Sequence, residues 1–379
     1  MIEVRPVRTQ HERNIFLTFP WRIYKGDPLW VPPILSERAR VTDPKRGSFF
    51  KNGYADFFIA WKDGQPAGTI VCAEDEAASR FKGYGECVFG FFECINDQAV
   101  AEALLNKAGE WSRAHGLIAI YGQYNLDYED SRGFLIEGRD RPPALLCGHT
   151  PPYYAGLLEG CGMKKWNEDG LAYEIDIDLN SPKVQRLVKL AQKIRERRPD
   201  IIVRSANLKD IEGEIDRIWD LTNRALAHLP GFTPWPREAV EQVIRPMVDV
   251  VDPELVIFAE IEGRAVGFFP GVPNLNEVFI HVNGLRYPWD YLKLLWYMRR
   301  RIRCISIKSV LVPPEYWDTG VGVLMFDLMA RRAAAKGYEW ADLSITGDEN
   351  PDTWPLAHHM GARIYKRYRT YRKTVDDRP

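Results

Sequence analysis

The chain has 379 residues, enough for about two or three domains, and its 45% hydrophobic and 27% charged residues are the balance of a globular protein. A formal net charge of −1 excludes a global pull toward nucleic acid or an anionic surface. No apolar run approaches the ~20 residues that span a bilayer.

The charged start, MIEVRPVRTQHER, lacks the apolar core of a secretory leader. Cys72, Cys87, Cys94, Cys147, Cys161 and Cys304 show neither a C-x-x-C pair nor zinc-type spacing. A cytoplasmic protein with reduced thiols, and without a nucleic-acid or membrane partner, is expected.

In chain order, residues 2–8 alternate as a first strand, and Trp21–Pro33 is too proline-rich for one regular element. Asp56–Ala73 reads as a hairpin turning at Asp63-Gly64. Glu86–Ile95 is a strand, Ala99–His115 an amphipathic helix and Leu117–Tyr121 a short strand. Residues 125–150 read as irregular. Pro151–Gly162 is a helix with proline in its first turn and glycine beyond its end, and 171–177 is a strand.

At Ser181-Pro182 an N-cap and a first helical proline open a basic amphipathic helix, read as a linker over 181–199. The second half restarts with a strand at 201–205 and helices near 209–228 and 236–248. A hairpin at 255–269 and a basic aromatic helix at 287–303 follow, with Arg299-Arg300-Arg301 read as a solvated face.

The stretch from Ile305 to Lys336 then runs strand, glycine-bearing turn and helix. The strand is expected to continue through Val310 and Val312 until Pro313-Pro314 ends it. The turn Asp318-Thr319-Gly320-Val321-Gly322 places backbone amides at the positive end of a helix dipole, a site suited to phosphate. The two halves repeat: Gly64 and Gly263, Gly68 and Gly267, and Gly162 and Gly361 are all 199 positions apart. A period that long indicates two tandem domains, not a solenoid.

Residues 201–373 resemble the GNAT superfamily of acyl-CoA-dependent N-acyltransferases. That family carries a Val-x-Pro strand end, then Arg/Gln-x-x-Gly-x-Gly/Ala, and later an asparagine, a tyrosine seven residues on and a glycine four beyond. Val312-Pro313-Pro314, Gly320-x-Gly322, Asn350 and Gly361 match, whereas Trp317 replaces the Arg/Gln and Ala357 the tyrosine.

The resemblance implies an α/β fold of two tandem GNAT-like domains, each a mixed, mostly antiparallel sheet flanked by helices. The expected boundaries are 1–180 for a degenerate first copy, 181–199 for the linker helix and 200–379 for the acyl-CoA-binding copy. It implies that the amides of Asp318, Thr319, Gly320, Val321 and Gly322 cradle the pyrophosphate of coenzyme A. Val310 and Val312 would bind its pantetheine arm and thioester, and Asn350 joins this set.

The expected activity is transfer of an acyl group, acetyl first among them, from acyl-CoA to a primary amine on a small molecule or peptide. Direct attack, without a metal, is the expected mechanism. The alternative is a non-catalytic GNAT-fold module for ligand sensing or protein association, and a different activated donor, an aminoacyl-tRNA or a long acyl-CoA, is a further reading. Catalytic candidates are Glu277 and His281, placed on one face if NEVFIHVNG is a strand, and His358, which titrates near neutrality. Glu93 is an outside candidate, and Tyr153 and Tyr154 read as packing residues.

Overall fold

The computed structural model describes residues 1–126, 132–229, 232–248, 250–308, 310–347 and 361–375. The chain divides into two compact units, and neither is one continuous stretch. Unit 1 comprises Met1–Leu171, Asn276–Arg300 and Lys366–Pro379, and unit 2 comprises Ala172–Leu275 and Arg301–Tyr365.

Strands β1 (Ile2–Pro6), β2 (Gly53–Lys62), β3 (Gln65–Asp75) and β4 (Cys87–Cys94) precede helix α1 (Gln98–Ala114). Strands β5 (Ala119–Gly122), β6 (Phe134–Glu137) and β7 (Lys164–Asp176) follow, with β7 carrying the chain from unit 1 into unit 2. Next come helix α2 (Pro182–Arg197), β8 (Ile201–Ser205), helix α3 (Ile211–Leu226), β9 (Val256–Ile261) and β10 (Arg264–Pro273). The chain returns to unit 1 for helix α4 (Pro288–Tyr297). It ends with β11 (Cys304–Ile307), helix α5 (Val321–Ala335), β12 (Trp340–Gly347) and β13 (Arg363–Thr374).

In unit 1 the strand order is β1-β2-β3-β4-β5-β13, antiparallel except for the β4–β5 pair, and β6 also pairs with β13. Helix α1 packs its apolar stripe on this sheet, with Val100, Leu104, Ala108 and Trp111 all buried. Each large side chain so buried contributes about 1.5–3 kcal/mol. In unit 2 the order is β12-β11-β10-β9-β8, again antiparallel except for β11–β12. Helix α5 covers this sheet with Val321, Leu324, Met325 and Met329.

The repeat is physical. Both hairpins turn on two residues of positive φ: Asp63 (51°) and Gly64 (77°) in unit 1, Glu262 (51°) and Gly263 (76°) in unit 2. That is the twist-matching turn of a two-residue hairpin loop. In each unit the parallel ladder begins at a cysteine, Cys87 opposite Ile120 and Cys304 opposite Trp340.

Several expectations change. Helix α2, read as a linker, starts as predicted with Ser181 accepting the Val184 amide, but it packs within unit 2, where Ala191 is fully buried. The "irregular" 125–150 stretch contains β6, which pairs with residues some 230 positions away, a pairing no local pattern discloses. The strand expected at 276–284 is instead a helical turn, Asn276–Phe279, continued by Ile280 and His281 amides bonding back to Asn276 and Val278. The strand expected from 305 through 312 stops at Ile307.

Candidate functional site

In unit 2 the parallel strands β11 and β12 are paired only from Cys304 to Ser306, opposite Trp340 to Asp342. Ile307 lies opposite Gly271, yet Leu311 lies opposite Phe268, so the β11 side holds one more residue than β10. Such a bulge bends its strand. Beyond it, Leu311 exchanges both backbone hydrogen bonds with Phe268, each 2.9 Å. Backbone groups alternate along an extended chain, so Val310 and Val312 present theirs toward the opposite edge. Trp317 Nε1 donates to the Val312 carbonyl at 2.8 Å, and its ring meets His228 edge-on. The residue in the family's Arg/Gln position thus ties down the strand end.

The expected glycine loop is tighter than anticipated. Pro314–Thr319 form a 3-10 helix, Thr319 Oγ1 donates to the Tyr316 carbonyl at 2.6 Å, and α5 begins at Val321. Gly320 links them at φ 88°, a conformation that favours glycine. Among the described residues no side chain caps α5, so its first-turn amides face outward with the positive end of the helix dipole. A Cβ at Gly320 would press on Ile194 of α2 at 2.8 Å, whereas one at Gly322 would meet none of the described residues within 4 Å. Val310 and Val312 therefore lie on the strand edge, and Asp318, Thr319, Gly320, Val321 and Gly322 on the 3-10 turn and helix start that follow it. Asn350, His358 and the Ala357 position lie outside the described residues.

Side chains alternate along the parting strands and give the two faces different chemistry. On the α5 face, Ile177, Leu187, Phe269, Ile307, Phe326 and Leu343 line an apolar recess between α2, α5 and the sheet. On the other face Lys308 Nζ pairs with Asp342 Oδ2 at 2.6 Å, and the Tyr365 hydroxyl donates to Asp342 Oδ1 at 2.8 Å. Asp342 is fully buried, and Ser306 Oγ beside it is buried without a hydrogen-bond partner. Sequence reasoning missed this cluster. Its only signal is a lone charge in each apolar run, Lys308 in ISIKSV and Asp342 in WADLSI.

Unit 1 has the same bulge but closes it. Thr69 lies opposite Glu93 and Val71 opposite Gly90, again one extra residue, and Phe91 takes a positive φ of 47°. Here the chain after β5 fills the edge: the Tyr124 amide donates to the Phe89 carbonyl at 3.1 Å, and the Phe91 amide to Asn125 Oδ1 at 2.7 Å. A Cβ at Gly90 would collide with the Tyr124 carbonyl. The start of α1 is occupied too, because the Asp97 carboxylate accepts from the Ala99 and Val100 amides and pairs with Lys62.

The bulge in unit 1 instead holds a polar cluster. The Tyr154 hydroxyl accepts from the Cys94 amide at 2.9 Å and donates to Glu93 Oε2 at 2.7 Å. Burial pushes the Glu93 carboxyl up to about 7, opposed by the hydrogen bond from Tyr154 and by the positive charge of Arg38. The Tyr24 hydroxyl donates to the His149 carbonyl at 3.0 Å, and His149 Nε2 contacts Asp27 Oδ2 at 2.7 Å. Tyr154 packs as expected and is fully buried, but it also serves Glu93.

Glu277 and His281 also belong to unit 1. The strand is replaced by a helical turn, on which positions four apart remain neighbours, so the change corrects the element and not the i, i+4 relation. The His281 ring stacks on Tyr297 at 4.0 Å, and burial and Arg300 lower its pKa.

No family model matches the chain. It is 29% identical over 385 residues to a bacterial ceramide synthase of Caulobacter vibrioides, covering 99% of this chain and 98% of that one. It is 28% identical over 388 residues to protein YghO of Escherichia coli, covering 98% and 95%. Among solved structures, a tandem GNAT protein from the clavulanic acid biosynthesis pathway superposes over 100% of both chains, with a TM-score of 0.58 at 11% identity. The chain has the tandem GNAT fold. In GNAT terms, β4 and β11 are the bulged strands of the two copies. Among the described residues the helix start is free of a blocking side chain in the second copy alone, and its strand edge is met by Trp317 at the Val312 carbonyl, whereas the first copy is filled at both places.

Proposed function

We propose that this protein is an acyl-CoA-dependent N-acyltransferase with its donor site in unit 2. The observation that carries the reading is the uncapped start of α5, with open space before Gly322, next to the bulged edge at Val310 and Val312. The amides of Val321 and Gly322 would hold the diphosphate of coenzyme A, and the Val310–Val312 edge its amide-bearing arm. Asn350 remains in the proposed set from the sequence motif. The amine would approach on the face of Lys308, Asp342 and Tyr365 and attack the thioester directly. Strand amides would orient the carbonyl.

Acetyl is the simplest donor. The apolar recess and the relative named as a ceramide synthase favour a longer acyl chain, because a ceramide is the amide of a fatty acid with a long-chain amino alcohol. The blocked edge and capped helix of unit 1 support one donor site per chain. Turnover with a donor series from acetyl-CoA to palmitoyl-CoA, against amines including a long-chain amino alcohol, is the test. Amide formation with free thiol release is expected. Binding of coenzyme A with no turnover would leave the non-catalytic reading, and no binding at millimolar ligand would remove both.

A further inference from the structure

Helix α4 buries its acid and exposes its apolar residues. Asp290 is fully buried, whereas Trp289 is 55% exposed, Leu292 69%, Leu295 64% and Trp296 53%. At about 100° per residue, Trp289, Leu292 and Trp296 share one face and Leu295, Tyr291 and Met298 extend it over roughly half the circumference. The segment is anchored to unit 1 by its other parts. Asp290 accepts the Tyr287 amide at 3.1 Å, Trp21 Nε1 donates to Asn283 Oδ1 at 2.7 Å, and Gly284 (φ 69°) packs against Pro33 and Trp21 with no room for a Cβ. The apolar face is therefore held outward by construction, and exposed patches of this kind mark a docking surface.

Cations frame the face. Arg286 stands over the Trp21 ring at 4.7 Å and the Tyr287 ring at 5.6 Å, and Arg300 over Trp296 at 4.2 Å and Tyr297 at 4.7 Å. Arg299 adds another exposed charge, and Lys293, also exposed, reaches the buried Asp290 at 3.5 Å, so the one acid of the helix is already paired. Tryptophan, tyrosine and leucine between basic side chains match the headgroup layer of a bilayer, and the excess positive charge complements anionic lipid.

We propose that α4 docks this protein on an anionic membrane surface, lying in the interface and not crossing it. The composition excluded a spanning segment and a global pull toward an anionic surface, and gave no expectation of a membrane partner; a helix in the interface with a local basic fringe needs neither a spanning run nor a net charge. The inference does not depend on acyl transfer, and its test reads binding alone. The full chain is floated with vesicles containing phosphatidylglycerol and, separately, with pure phosphatidylcholine. It should float with the anionic vesicles, less so at high salt. A Leu292→Asp/Leu295→Asp variant should lose about tenfold or more of that binding, with circular dichroism and melting unchanged. An Arg299→Glu/Arg300→Glu variant should lose the preference for anionic lipid. The proposal is overturned if the wild type floats with neither lipid, or if the double aspartate variant floats as well as the wild type. It is also overturned if light scattering shows self-association that this variant abolishes, which would assign the face to a second copy.

Discussion

Gly320 and Gly322 are two residues apart and do different work. Gly320 is required by its φ of 88° and by Ile194 at its back, so Gly320→Ala should cost about 1–2 kcal/mol of stability from backbone strain alone. Gly322 faces open space, so Gly322→Phe should leave the melting temperature unchanged and abolish coenzyme A binding. Equal binding by the Phe variant would remove the diphosphate from this turn.

Asp342 offers a second test. Replacing it by alanine strands the buried Lys308 charge and should cost about 3–5 kcal/mol, while Lys308→Met/Asp342→Leu together should cost far less. Denaturant unfolding of both variants separates a charge pair from a packing defect. Glu93 is the pH probe. Its carboxyl is raised from 4.5 to about 7 by burial, so between those values the folded state holds a proton that the unfolded state has lost. Stability should therefore fall as pH rises through this window, by about 1–3 kcal/mol. Melting of Glu93→Gln against wild type at pH 5 and pH 8 should show the variant gaining only at the higher pH. Parallel curves would mean an ordinary carboxyl. The glycines were legible because backbone angle restricts residue choice. The Lys308–Asp342–Tyr365 cluster was not, because it joins three strands through side chains.

At the level of elements, a capping carboxylate and a filled strand edge separate the two copies of the strand–helix unit. Helix α1 is capped by Asp97 and helix α5 by nothing from a side chain. Asp97→Ala should cost about 1 kcal/mol of stability and should not create a coenzyme A site, because Tyr124 and Asn125 still fill the strand edge. Acquired binding in that variant would show that the cap alone distinguishes the copies. The hairpins, α2 and β8 were readable because their turn and cap residues act locally. The bulges were not, since an extra residue on one strand appears only once its partner is known. Reading 276–284 as a strand failed because its β-branched and aromatic residues form a helical turn pinned by Asn276 and Asn283 to unit 1.

For the whole molecule, the 199-residue offset survives because two insertions compensate. Cys87 and Cys304 begin matching ladders 217 positions apart. The stretch carrying α4 lengthens the second copy before this point, and the longer connection after β5 lengthens the first. The glycines announced a duplication, but the partition into discontinuous units could not be read from it, since α4 and β13 from Lys366 onward belong to a unit begun far earlier in the chain. The proposed duplicated fold with a single acyl-donor site fixes a binding stoichiometry. Titration calorimetry of coenzyme A into the wild type and the Gly322→Phe variant tests it most directly. One molecule bound per wild-type chain and none per variant chain is the predicted result; two bound, or undiminished binding by the variant, would contradict it.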